Sequence, residues 1–393
     1  MSEAAPAGLH LFEGYGVELE YAIVDRRTLR VLPVADEVLR AAVGEYTSDY
    51  EDGPVAWSNE LVLHVIELKT NGPTPSLAGW AERFLADVRR IDAILEPLGG
   101  RLMPTGMHPT MVPERDTRLW PHDAGEIYRA YDRIFDCRGH GWSNLQSCHL
   151  NLPFQGDEEF GRLHAAIRAL LPLLPALAAS SPLVEGRATG LVDSRLDAYK
   201  RNQARIPSIA GAVIPEPVFT EADYRREILG RTYADIAPFD PAGLLQHEFL
   251  NSRGAIARFE RDASEIRLLD TQETPAADLA IASLVSAVLR ALVTERWAPL
   301  AALCSRATTP LAALLDATIR DGEAAIVEHA PLRAVLGWPG GPAPAGALWA
   351  HLAAAVLGPG ELEPALAAAL DVVLDEGPLA RRILRACGAT PAP

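Results

Sequence analysis

Residues 14–25 read GYGVELEYAIVD. Tyr15, Val17, Leu19, Tyr21 and Ile23 recur at every second position, the period of a β-strand with one apolar face. Glu18 and Glu20 fall between them and share the opposite face of the same strand. Two carboxylates about 7 Å apart on one face raise each other's pKa unless a cation sits between them. A solvated face of an antiparallel sheet could carry them, but the pattern recurs along the chain. Residues 61–70 (LVLHVIELKT) read as a second strand, with Glu67 set in an apolar run. Residues 145–152 (LQSCHLNL) read as a third, with His149 and Asn151 on one face. Residues 255–261 and 264–270 read as a hairpin around Asp262 and Ala263, with Glu265 and Arg267 again sharing a face. Were these strands neighbours, their polar faces would form one patch of carboxylates, an imidazole and a guanidinium.

Helical periodicity marks 34–43, 76–97, 157–179 and 221–229. Strands scattered among helices without regular βαβ alternation predict an α+β fold with a largely antiparallel sheet. From Ala276 onward the chain is rich in Ala and Leu and reads as successive helices, interrupted at Pro310, at the PGGPAP run of 339–344 and at Pro359. That run is too short for a domain linker. The expected division is a catalytic region over 1–305 and a helical region over 306–393 packed on the same domain.

The composition limits the partners. With 36 Lys+Arg against 52 Asp+Glu the formal charge is −16, which repels phosphate backbones and argues against nucleic acid. Lys69 and Lys200 are the only lysines. Cys137, Cys148, Cys304 and Cys387 form no CxxC pair, so reduced thiols in a cytoplasm are expected. The start, MSEAAPAGLHLFEG, lacks the basic and apolar regions of a secretory signal. The apolar run from Leu170 to Ala179 is broken by Pro172 and Pro175 and falls short of the ~20 residues that span a bilayer. No membrane partner is expected, and a monomer and a homo-oligomer both stay open.

The acidic patch suggests a hard divalent ion. Mg²⁺ and Mn²⁺ take carboxylate oxygens, often with phosphate oxygens completing the shell. A single histidine suits them better than zinc, whose sites carry more nitrogen or sulfur. An arginine beside the patch suits a transferring phosphoryl group. There is no G-x-x-x-x-G-K-[ST] loop and no strand–GxGxxG–helix unit, so nucleotide phosphates would be held through metal and arginine. His64, His108, His122 and His140 read as loop residues hydrogen-bonded to backbone or solvent. Cys148 and His149 point to opposite faces of their strand, which excludes a Cys–His nucleophile pair. Ser180-Ser181-Pro182 lacks a nucleophile elbow and reads as a helix end and turn.

Five stretches in order resemble the glutamate–cysteine ligase type 2, or carboxylate–amine ligase, family. They are Gly16 to Tyr21 (GVELEY), Val65 to Thr70 (VIELKT), Cys148 to Asn151 (CHLN), Ala178 to Arg195, and Glu265-Ile266-Arg267 with Asp270; together they span roughly residues 14–290. The resemblance implies a glutamine synthetase-like fold, a curved and mostly antiparallel sheet forming an active-site funnel. It also implies that ATP phosphorylates a carboxylate and an amine attacks the acyl phosphate. On that likeness Glu18, Glu20, Glu67, His149 and Glu265 are ligands to two or three Mg²⁺ (or Mn²⁺) ions, and Glu60 is a further ligand. Glu60 and Glu67 have opposite parity, so a turn or bulge is required between them. Arg267 would contact the γ-phosphoryl group, making it catalytic together with Glu18 and Glu265, and Arg195 would help bind phosphate or substrate carboxylate. Where the family has a glycine shortly before its histidine, this chain has Gln146-Ser147-Cys148. Tyr128 and Tyr131 could contact the amine acceptor or merely form one face of a helix. The expected substrates are glutamate and cysteine; another carboxylate or amine, or a non-catalytic nucleotide- and metal-binding homologue, are the alternatives.

Overall fold

The structure is a computed structural model describing residues 8–123 and 125–388. Residues 1–7 of the segment read above as lacking a signal lie outside the described residues. Eight strands form one sheet: β1 (Gly16–Asp25), β2 (Asp49–Tyr50), β3 (Val55–Asn59), β4 (Val65–Thr70), β5 (Gly100–Met103), β6 (Ser147–Pro153), β7 (Ala255–Arg258) and β8 (Ala263–Asp270). The order is β2–β3–β4–β1–β6–β8–β7, with β5 pairing the far end of β1, and every pairing is antiparallel. The α+β reading and the antiparallel sheet hold.

Alternation sorts the side chains as the sequence implies. Val17, Leu19, Tyr21 and Ile23 of β1 are buried in the core, together with Ile66 and Leu68 of β4, Cys148 and Leu150 of β6, and Ile266 and Leu268 of β8. This face is covered by α1 (Trp80–Leu95), α2 (Gly156–Leu170) and α3 (Pro275–Val293). Thr274 caps α3 by accepting from the Ala277 N–H, and Pro275 starts it where no N–H is needed. α3 is the one helix among the described residues long and apolar enough to cross a membrane, but 78% of its apolar window is buried within the protein.

Several boundaries differ from the sequence reading. The strand expected over 61–70 begins only at Val65; residues 61–64 form the turn from β3, and Val62 bridges to Leu119. This turn answers the parity requirement, because Glu60 and Glu67 belong to different arms of a hairpin. The helix expected over 157–179 is three pieces, interrupted at Leu171–Leu173 and restarting at Pro175, as its prolines require. Pro310 interrupts nothing: it sits in the first turn of the helix Thr308–Asp321. Ala343–Pro344, at the end of the PGGPAP run, pairs with Ile326–Val327. The C-terminal helices join the main core through Leu348, Trp349, Leu366 and Leu370, and Trp349 Nε1 donates to the Leu173 carbonyl at 2.8 Å.

Candidate active site

The polar face of the sheet lines a cavity of about 1040 Å³. β1 is its centre. Across β1 and β4, Glu18 pairs with Lys69 and Glu20 with Glu67; across β1 and β6, Glu18 pairs with His149 and Gly16 with Asn151. Glu265 of β8 pairs with Asn151. Two-residue periodicity on four adjacent strands thus brings Glu18, Glu20, Glu67, His149, Glu265 and Arg267 to one wall.

Hydrogen bonds fix their orientation. Glu18 accepts from Asn151 Nδ2 at 2.9 Å and meets His149 Nδ1 at 2.9 Å. Glu20 accepts from both the backbone N–H of Ser147 (2.6 Å) and its hydroxyl (3.0 Å), and that hydroxyl lies 2.9 Å from His149 Nε2. Glu67 accepts from Ser58 Oγ at 2.5 Å and from Lys69 Nζ at 3.1 Å. Glu265 accepts from Arg267 Nε at 2.5 Å and from Arg258 Nη1 at 3.3 Å. β8 carries one extra residue between Ile266 and Leu269 relative to β6. Such a bulge bends its strand and re-aims a side chain, here beside Arg267.

Burial opposes ionisation of Glu18, but the hydrogen bond and charge of His149 outweigh it and hold the carboxyl below its usual range. Burial likewise disfavours a charged His149, yet Glu18, Glu20 and Glu265 push its pKa up to about 9. Glu67 is pushed up to about 7, first by burial and then by Glu18. Glu60 is raised well above the carboxylate range by burial, Glu20 and Glu67. Arg267 is raised despite burial, because Glu265 is beside it. The local cations therefore leave part of the carboxylate charge uncompensated, a donor set with room for divalent cations. Glu18, His149 and Glu265 offer ligand atoms within 4.8 Å of one another, and so do Glu20, Glu67 and His149. Mostly oxygen with a single histidine nitrogen, each trio fits Mg²⁺ or Mn²⁺ better than zinc. Glu60 lines the same cavity but falls in neither trio.

Arg195 is placed differently from the phosphate- or carboxylate-binding role expected for it. It reaches the cavity wall but is 2% exposed; its Nε donates to Asp270 and its Nη2 to the Arg267 carbonyl at 3.2 Å. Asp270 also accepts from the Ser180 N–H and the Ser181 hydroxyl, both at 2.8 Å. The Ser180–Ser181 turn is thus part of the brace beneath β8. Tyr128 and Tyr131, on the helix Gly125–Phe135, line one end of the cavity beside Trp142 and Phe249. His64, His108, His122 and His140 bond respectively to the Ser143 carbonyl, the Leu29 carbonyl, Asp36 and Glu185. Sequence reasoning missed Ser147, Lys69, Ser58 and Arg258. Ser147 and Lys69 were legible as period-two neighbours of His149 and Glu67; Ser58 and Arg258 depend on which strands pair.

Residues 15–324 match the sequence profile of glutamate-cysteine ligase family 2 (GCS2). An uncharacterized protein of Archaeoglobus fulgidus is 38% identical over 280 residues, covering 71% of this chain and 75% of that protein. A Rubrobacter xylanophilus protein named "Putative glutamate--cysteine ligase 2-3" is 32% identical over 191 residues, 47% of each chain, so the match spans about half of that relative. The crystal structure of glutamate–cysteine ligase from Francisella tularensis in complex with AMP superposes with a TM-score of 0.56 at 14% identity, over 98% of this chain and 87% of that one, and so shares the fold. Profile, relatives and fold agree with the strand-by-strand reading: the chain belongs to glutamate–cysteine ligase family 2.

Proposed function

We propose that the protein is an ATP-dependent carboxylate–amine ligase. The observation that carries this reading is the pair of acidic trios sharing His149 on the floor of one large cavity, with Arg267 at their edge. In the proposed reaction an oxygen of the carboxylate substrate attacks the γ-phosphorus of ATP and ADP departs. The amine nitrogen then attacks the acyl carbon of the acyl phosphate; phosphate leaves, the nitrogen loses a proton and an amide remains. Divalent ions, when bound, neutralise polyphosphate charge and polarise the γ-phosphoryl group. Glu18, Glu20, Glu67, His149 and Glu265 are the proposed ligands to Mg²⁺ or Mn²⁺, with Glu60 as an outlying carboxylate. Arg267, charged and held by Glu265, stabilises the phosphoryl group in transit. Arg195 acts through Asp270 and the backbone of Arg267, as a positioning residue rather than a contact to phosphate.

Family membership supports glutamate as the carboxylate and cysteine as the amine. The neutral, aromatic end formed by Tyr128, Tyr131, Trp142 and Phe249 supports a second reading, in which the acceptor is another amine. Residues 306–393, packed on the shared core, are proposed to brace the catalytic region rather than to form a separate unit. The four unpaired cysteines support an intracellular setting. The deciding experiment measures ADP release with Mg²⁺ or Mn²⁺, ATP and glutamate, with and without cysteine and a panel of amines, with products identified by mass spectrometry. Cysteine-dependent release of a γ-glutamyl product establishes the first reading, and release only with other amines establishes the second. No release with any acceptor, alongside measurable nucleotide binding, makes the protein a non-catalytic homologue.

A further inference from the structure

Lys69 is one of two lysines in the chain, and it stands on the inner face of the sheet two residues after Glu67. Its Nζ donates to Ser58 Oγ at 2.8 Å and to Glu67 Oε2 at 3.1 Å, and lies 3.8 Å from Asp49. Ser58 donates to that same Oε2. One oxygen of Glu67 is therefore capped twice, which leaves Oε1 as the oxygen free for a metal. In register, Lys69 lies across β1 from His149 with Glu18 between them, and Arg267 holds Glu265 on the strand beyond. The acids are thus bordered by a fixed cation on either side.

An ordinary half-exposed Lys–Glu pair is worth little, and its lysine need not face a cavity. This one is 31% exposed and lines the cavity. Asp49 is beyond hydrogen-bond distance, so among the described residues the ammonium has two acceptors for its three N–H groups.

We propose that Lys69 is a built-in cation of the site: it takes the flank of Glu67 that a further divalent ion would otherwise occupy, and it presents its remaining N–H to the phosphates of the nucleotide. The nucleotide half of this inference rests on the ligase reading; the metal half does not. A fixed ammonium repels a neighbouring divalent ion and attracts a polyphosphate, so its removal has effects of opposite sign on the two ligands.

The test compares wild type, Lys69→Met and Lys69→Arg. Mn²⁺ binding is counted by electron paramagnetic resonance, and ADP and adenosine binding are measured by calorimetry. In Lys69→Met, Mn²⁺ should bind at least roughly threefold more tightly or at one more site, while ADP weakens by roughly fivefold or more and adenosine is unaffected. Lys69→Arg should restore ADP binding. Unchanged or weaker Mn²⁺ binding in a folded Lys69→Met protein overturns the proposal, as does unchanged ADP binding. Should wild type bind no ADP, the ligase reading fails, and the Mn²⁺ arm alone decides whether Lys69 fills a cation position. Should Lys69→Met fail to fold, Lys69→Gln, which retains an N–H for Ser58, is read in the same way.

Discussion

Arg195 and Arg267 are both arginines at the wall of one cavity, yet the structure makes opposite demands on them. Arg195 is 2% exposed and Asp270, its partner, is 1% exposed. Replacing Arg195 with methionine leaves the Asp270 carboxylate buried with only the Ser180 N–H and the Ser180 and Ser181 hydroxyls to satisfy it. Breaking a buried ion pair on one side costs about 3–5 kcal/mol. At about 1–2 °C per kcal/mol for a chain of 393 residues, that is a fall of roughly 3–10 °C in melting temperature. Arg195→Met with Asp270→Asn removes both charges, so the double variant should recover about 1–3 kcal/mol relative to the sum of the singles. Arg267 is more open and bonds a Glu265 that Arg258 also reaches, so Arg267→Met should melt close to wild type while losing phosphoryl-transfer turnover. Melting followed by circular dichroism, with ADP binding by calorimetry, separates the two roles. An Arg195→Met protein that melts like wild type but has lost ADP would refute the brace and make Arg195 a ligand contact.

Three further outcomes are expected. Glu18→Gln removes a member of one trio and the carboxylate that orients His149, so ADP release should disappear with the fold intact; normal turnover would take Glu18 out of the site. In metal-free protein His149 and Glu67 should cost stability as pH rises from about 4.5 to 9. His149, raised from 6.5 to about 9, contributes fully below 6.5 and loses that contribution as pH climbs through 9. Glu67, raised from 4.5 to about 7, binds more protons folded than unfolded between those values and adds to the decline. Added Mn²⁺ should reverse the trend, since it binds the deprotonated ligands, and a flat or rising melting temperature without metal would contradict the crowding of charge. A Cβ on Gly106 would lie 2.3 Å from Asp270 Oδ2 and 2.4 Å from its Cγ, so Gly106→Ala should cost about 1–3 kcal/mol or more, and wild-type melting would show that Asp270 is not pinned.

Much of the site was legible because strand parity is a local property. Glu18 with Glu20, His149 with Asn151, and Glu265 with Arg267 each share a face by their spacing alone, whatever the strands around them do. Nothing local says that Glu67 faces Glu20, or that Ser58 from a third strand caps Glu67; those facts belong to register, which long-range packing sets. The misplaced start of β4 has the same origin: Leu61, Val62 and Leu63 are apolar enough to read as strand, but the burial of Leu61 and Val62 serves the turn rather than the sheet. The role of Arg195 was hidden for a different reason. An arginine near acidic residues reads equally as a ligand or as half of a buried pair, and only the depth of Asp270 decides between them.

That depth has a consequence for how the site is held. A sheet face carrying Glu18, Glu20, Glu67 and Glu265 repels itself in the absence of metal, and the strands bearing these groups are stabilised mainly from the other side. β8 is the most exposed to this strain, because it lies towards the edge of the sheet with only the short β7 beyond it and carries a bulge beside Arg267. The buried elements that grip it are the Asp270 network below and the helices α2 and Pro175–Ala178 packed against it, and Arg382 of the last helix donates from Nη1 to Glu273, just beyond its end, at 2.6 Å. Charge crowding on the inner face and ion pairing beneath it are therefore two halves of one arrangement. Weakening the brace should loosen Glu265 and Arg267 first and the β1 carboxylates last. In Arg195→Met at temperatures where the protein is still folded, amide exchange should quicken along Ala263–Asp270 before it does along Gly16–Asp25. Equal acceleration of both strands would mean that the sheet opens as a single unit and that the brace has no local effect.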